Sequence, residues 1–335
     1  MTYPTDQLYQ GDVNFLLTPE RRLLTEIDLF EYLVLDGSTE PQYVEHVLDK
    51  YSKLSNALLV QGKTSELKHL NACLRSFLWD FYKQRDIFKF IPFLYSEIFA
   101  DIDNVPSLEA LRQRFPGIDK HPQFVFMIAV GQCVLPYFHG TLSEAPEKLL
   151  QLQAAFENVP PQAFMNPFMR GFLMLYRIYL GEETLRAKDW NAISELIQSA
   201  IDDLSYVMNS ISGSGKKLLD FSIILIRTLV ELCGRVRTEE EGIEVLRQII
   251  DRLEALKYFG TDPEIASPLS SIYTIYIAVL FETGQPDRVA EALERFMSFI
   301  RELYERFPSA YEVHLKALEE LWKYDADLLG PRIIE

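Results

Sequence analysis

The sequence predicts an all-α protein of stacked antiparallel helical hairpins. Apolar residues recur at spacings of three and four in segment after segment, the period of one helix face. No run of alternating β-branched residues bounded by hairpin turns interrupts them. Gly- and Pro-containing breaks punctuate the chain at helix-length intervals.

The elements follow in order. Thr18-Pro19-Glu20 gives a cap and a first-turn proline, opening a helix over 18–35. After Gly37-Ser38 a second helix is expected over 40–60. Beyond Gly62, the row Leu67, Leu70, Leu74, Leu78 and Phe81 marks a helix over 64–84. Helices over 87–101 and 107–115 flank Asp103-Asn104-Val105-Pro106, and 121–138 follows Pro116-Gly117. Thr141 with Glu144 reads as a capping box for 143–158, which Pro160-Pro161 closes. Helices over 166–181 and 187–209 come next, the second along Trp190, Ile193, Ile197, Ile201 and Leu204. Gly213-Ser214-Gly215 precedes 216–233, and Thr238 with Glu241 caps 239–257. The last helices are 266–283, 287–307 and 309–323. Of these, 287–307 carries Val289, Leu293, Phe296, Ile300, Leu303 and Phe307 on one face.

A chain of 335 residues exceeds the ~250–300 at which one compact core stops growing. The expected organisation is N-terminal hairpins over 1–101, a Pro/Gly-punctuated joint over 102–122, and helical repeats over 123–335. The alternative is one continuous superhelix. In the second half a nearly all-round apolar helix is followed by a glycine turn and a longer amphipathic helix. This occurs as 168–180, Gly181, 190–208, then as 218–233, Gly234, 243–256, and again as 272–281, Gly284, 289–307. The glycines fall roughly fifty residues apart, within the range of helical solenoids. An all-round apolar helix needs cover on every side and an amphipathic one on a single side. Stacking hairpins satisfies both.

That grammar resembles the tetratricopeptide-repeat-like α-solenoids. The nearest stretch is Ile275-Tyr276-Ile277-Ala278-Val279-Leu280-Phe281-Glu282-Thr283-Gly284, followed by Val289 and Leu293. The family places a small residue where Ile277 stands and alanine where Val289 stands, and its helices are shorter than 287–307. The resemblance covers hairpin architecture in about half the chain. It implies a right-handed α-solenoid that binds a peptide or protein in a concave groove lined by the first helix of each hairpin.

Net charge is -16 and the pI about 4.9. Such a chain repels phosphate backbones and anionic bilayers, so neither nucleic acid nor membrane is an expected partner. The positive stretch Lys53, Lys63, Lys68, Arg75, Lys83, Arg85 and Lys89 offers a local patch for an acidic partner, or plain solvated helix faces. Cys73, Cys133 and Cys233 are widely spaced in apolar segments and form no disulfide framework. The first residues, Met1-Thr2-Tyr3-Pro4-Thr5-Asp6, carry no signal-peptide pattern. The apolar run over 124–138, broken by Gly131, Gln132 and Pro136, is shorter than the ~18–20 residues of a membrane span. A cytoplasmic location is the expectation.

Catalytic patterns fail one by one. Gly62-Lys63-Thr64 would end a phosphate-binding loop, but Ala57 stands where a glycine is required. Gly215-Lys216-Lys217 has Ser210 at that glycine position and lysine at the hydroxyl position. Glu66-x-x-His69 has di-iron spacing without the second pair such sites need. His69 and Cys73 are only two ligands. Asp202-Asp203 lacks the third acid of the motif in helical isoprenoid enzymes, and reads as solvated helix carboxylates. No Gly-x-Ser-x-Gly elbow occurs. His46, His69, His121, His139 and His314 stand in no catalytic context. No cofactor is expected, nor an enzyme.

The informative charges are arginines inside apolar helices. Arg170 and Arg177 lie seven apart on one face, with no carboxylate three or four residues away. Arg227 has Glu231 one turn on. A buried unpaired guanidinium is very costly, so each meets a carboxylate from another helix or opens onto the groove. On the second reading Arg170, Arg177 and Arg227 form a cationic stripe for a partner bearing carboxylates. Tyr273 and Tyr276 supply contact area beside it, as do Tyr176 and Tyr179. The expected function is a non-enzymatic protein- or peptide-binding scaffold. The alternatives are a helical enzyme or small-molecule sensor with an aromatic-lined cavity, and a structural homo-oligomer.

Overall fold

The computed structural model describes residues 42–99, 105–138, 146–210, 216–234, 240–255 and 263–308, together with Leu23, Leu24, Ile27 and Glu31. Among them are twelve α-helices and no strand. The chain divides into two compact units, Met1–Val125 and Phe126–Glu335.

The first unit contains α1 (Gln42–Val60), α2 (Thr64–Tyr82), α3 (Ile91–Ile98) and α4 (Leu108–Arg114). The division falls within α5 (Pro122–Phe138). α1 packs on α2. Trp79 of α2, 1% exposed, is the hub of the core. Its ring lies 5.3 Å from Phe90, 6.0 Å from Phe115, 5.7 Å from His121 and 6.1 Å from Phe124. The expected joint contributes directly to this core, since Leu111, Phe115 and Ile118 within it are buried. Its Pro/Gly signals mark a short helix capped by Ser107 and a tight turn at Gly117. The helix expected over 87–101 begins as a 3-10 turn, Ile87–Phe90, and becomes α-helical only where Pro92 fixes the first turn.

The second unit holds α6 (Pro146–Glu157), α7 (Pro167–Arg186), α8 (Trp190–Asn209) and α9 (Lys216–Cys233). It continues with α10 (Glu240–Ala255), α11 (Pro263–Glu282) and α12 (Pro286–Arg306). α7, α9 and α11 form a series in which each packs on the next. α8 packs on α7, α9 and α10, while α11 also packs on α10 and α12. The composition of the helices accounts for this arrangement. α7 is buried on nearly every side, as its sequence requires, whereas α12 buries only Val289, Ala292, Leu293, Phe296, Ile300 and Leu303.

α7 and α9 approach closely at Gly171, where a Cβ would lie 2.4 Å from Phe221 Cε1. Phe221 cannot retreat easily, since its ring is held 6.0 Å from Phe168 and 5.3 Å from Phe172. Gly171→Ala is therefore expected to cost about 1–3 kcal/mol by overpacking. A lowered urea midpoint by far-UV circular dichroism checks this.

Three helix ends share one termination. Lys63 N donates to Leu58 O and Gly62 N to Leu59 O, at 2.9 and 3.0 Å. Gln285 N and Gly284 N repeat the pattern on Leu280 O and Phe281 O, at 3.1 and 3.0 Å. Gly62 and Gly284 take φ of 69° and 70°, a conformation glycine adopts without steric cost. The end of α7 has the same form, with Asp189 N donating to Thr184 O at 3.2 Å. There Lys188, φ 58°, takes the glycine's place. This corrects the expected turn at Gly181. That glycine is inside α7, where a Cβ would sit 3.5 Å from Leu232 of α9. The helix runs on to Arg186, and the Asp189 side chain caps α8 by accepting from Ala192 N at 3.1 Å. The capping boxes expected at Thr141 and Thr238, the start at Thr18 and the helix over 309–323 lie outside the described residues.

Candidate functional site

Burial selects which charged side chains matter. The fully buried carboxylates among the described residues are Glu31, Glu97 and Asp203. Each is held by donors distant in sequence, as a buried charge requires. Tyr51 donates to Glu31 at 2.5 Å. Arg75 and Arg114 both close on Glu97. Arg170 and Arg177 both close on Asp203, the first with Nε 3.3 Å from Oδ1, the second with Nη1 2.5 Å from Oδ2.

The five residues expected to line a groove separate on this basis. Arg170 and Arg177 of α7 come together, as their spacing predicts, but on an internal carboxylate. Arg177 also donates to Ser199 O of α8 at 2.9 Å. Burial pushes the Asp203 carboxyl up to about 6 against the pull of both arginines. Tyr273 is fully buried, stacked 5.0 Å from Phe296 of α12, and donates to Glu254 of α10. Arg295 of α12 closes on the same Glu254 and on Asp251, the latter at 2.5 Å. Burial and the Glu254 carboxylate hold the Tyr273 phenol well above its ordinary range. Tyr276 is buried on α11. Tyr176 is also enclosed, 4.7 Å from Phe156 and 5.8 Å from Phe126.

Arg227 is different. It is exposed on α9 and makes no ion pair or hydrogen bond among the described residues. Its neighbours one turn and two turns back on the same face are half-buried Ile224 and exposed Asp220. On α11, which packs against α9, Ser271 and Glu282 are exposed and Ile275 and Ala278 half-buried along one helix face. In sequence Arg227 differs from the other two arginines in having Glu231 one turn on, which would favour the opposite assignment. The position of their partners decides it.

Asp203 is the residue that sequence reasoning misread. Asp202 is solvated as expected, its side chain 69% exposed, but Asp203 is 1% exposed. The signal was its row on α8, where Leu196, Ala200 and Val207 make it the lone charge among apolar positions.

The expected basic patch of the first unit is largely neutralised where it stands. Lys53 pairs with Asp49 at 2.7 Å, Lys89 with Asp86 at 3.8 Å, Lys83 with Asp80, and Arg75 with Glu97. Arg85 lies over the Phe81 ring at 4.3 Å. Gly62-Lys63-Thr64 belongs to the α1–α2 turn, with glycine serving the helix end. Burial pushes the Cys233 thiol up to about 12, which removes its nucleophilic form at neutral pH. Among the described residues no group of three or more His, Cys, Asp or Glu side chains is placed to hold a metal ion. No described helix is long and apolar enough to cross a membrane. A cleft between α8 and α10, lined by Ser194, Gln198, Gln248 and Arg252, encloses at most about 190 Å³. That is smaller than the ~300 Å³ at which small-molecule pockets begin.

Set beside known proteins, the chain matches no family model, no curated protein and no solved structure.

Proposed function

We propose that the chain is a non-enzymatic scaffold that binds a protein or peptide segment. Its second unit would be an α-solenoid with α7, α9 and α11 as the inner layer and α8, α10 and α12 as the outer. The order of helix contacts supports that layering, since inner helices meet one another and each outer helix meets an inner one. In this reading the recognition face is the uncovered side of α9 and α11.

The observation that carries the reading is Arg227. In a chain of net charge -16 it is an exposed cation with no partner among the described residues, one turn from half-buried Ile224. Arginine beside apolar area is the composition of interface anchors. Its complement is a segment bearing a carboxylate and an apolar side chain.

The test is affinity purification of the tagged chain from its own cells, with mass spectrometry of protein and small-molecule fractions. A stoichiometric partner is expected with the wild type. Arg227→Glu is expected to weaken its capture by about tenfold or more, with unchanged circular dichroism. A bound metabolite with no protein partner would overturn the scaffold reading in favour of a sensor or enzyme.

A further inference from the structure

We propose a second docking point, formed by Arg170, Tyr206 and Met165, that takes a carboxylate side chain from an acidic peptide segment with a neighbouring apolar residue. It rests on the scaffold reading for the nature of its ligand, and it is independent of Arg227.

The argument begins with unequal use of two arginines. Asp203 is one carboxylate between two guanidiniums, so one positive charge is left over. Arg177 uses its donors inside, on Asp203 and on Ser199 O. Arg170 does not. It lies within ion-pair reach of Asp203, yet its buried Nε makes no hydrogen bond, and neither Nη group donates one among the described residues. A guanidinium carries five N–H donors in a rigid fork suited to a carboxylate. With its side chain 34% exposed, Arg170 can present that fork to a ligand without leaving its place.

The surroundings hold it there. The guanidinium carbon lies 5.1 Å above the ring of Tyr206, a cation–π contact that fixes its plane. Tyr206 is fixed in turn, because its hydroxyl donates to Met165 O at 2.6 Å. Pro161–Met165 is a 3-10 turn packed on α7, so the Met165 backbone is anchored while the residue as a whole stands 73% exposed. Met165 and Tyr206 are two of the six large hydrophobic residues most exposed among those described. A preoriented cation beside a flexible thioether and an aromatic ring is a surface for an acidic residue flanked by an apolar one. A doubly charged phosphoryl group fits less well, because Asp202 lies exposed next to Asp203 and opposes a second negative charge.

A random peptide library displayed on phage, selected against the full chain, tests the proposal. Enriched peptides are expected to carry Asp or Glu beside a large apolar residue. Their affinity is expected to fall by about tenfold on Arg170→Gln and severalfold on Met165→Ser, and to stay unchanged on Arg227→Glu. Met165→Ser touches no ion pair, so it reports on the surface even if Arg170→Gln loosens the fold. Peptides that ignore both changes but are lost on Arg227→Glu overturn this docking point and leave the scaffold reading standing. Enrichment of neutral or basic peptides, or no enrichment, overturns it outright.

Discussion

Trp79→Ala is expected to destabilise the first unit by about 3–5 kcal/mol, the cost of emptying a fully packed aromatic site. The size of the effect follows from position. Four rings meet Trp79, contributed by the 3-10 turn before α3, the end of α4 and the start of α5. They also meet one another, with Phe90 5.2 Å from Phe115 and 6.0 Å from Phe124. Removing the hub leaves a void lined by stiff rings that collapse poorly, the circumstance in which cavity costs are greatest. Urea unfolding followed by circular dichroism measures it. The remaining Trp190 and Trp322 provide a fluorescence reference in the variant. A midpoint within error of the wild type would mean that the cluster does not hold the unit together.

The second large effect is expected at Arg177. Arg177→Met keeps the aliphatic stem but leaves the Asp203 carboxylate with Arg170 alone, at a distance of 3.3 Å. Removing one of its two guanidiniums leaves the buried carboxylate only partly compensated, and the expected cost is about 3 kcal/mol at pH 7.5. That cost should shrink on acidification. The Asp203 carboxyl is raised to about 6 in the fold, against 3.8 for the free group. Between these values the native state holds a proton that the unfolded chain does not. This group's contribution to stability is therefore full below about 4 and lost as pH rises through about 6. At pH 5 the carboxyl is largely neutral and has little need of Arg177. Paired unfolding curves at pH 5 and 7.5 check the sign, and an equal cost at both values would show that Asp203 stays ionised.

Helix positions were legible because their signals are local. The segments 64–84, 216–233 and 287–307 were read from apolar spacing and glycine breaks. They appear as Thr64–Tyr82, Lys216–Cys233 and Pro286–Arg306. Gly181 misled because a glycine inside a helix and a glycine ending one look alike in sequence. What distinguishes them is that the helix runs on past Gly181 to Arg186, packed against Leu232 of α9. Lys188 gave no signal, since a lysine at positive φ is stabilised by the turn around it rather than by its own preference. The candidate site was harder for a related reason. Arg177, Tyr273 and Arg227 all sit in apolar helices, and each one's role depends on what the facing helix supplies. Asp203 lies 26 residues from Arg177, and Glu254 lies 19 from Tyr273. No spacing rule within a helix reaches that far.

From α7 onward, each helix packs chiefly on helices one or two places away in the chain. This has a consequence for how the second unit forms. Contacts between near neighbours in sequence close short loops, which cost little entropy, so assembly can begin at any adjoining pair and spread outward. Loss should also be graded rather than abrupt. Amide exchange would then rank α7 and α8, joined through Asp203, as a block opening separately from α11 and α12, joined through Tyr273 and Phe296.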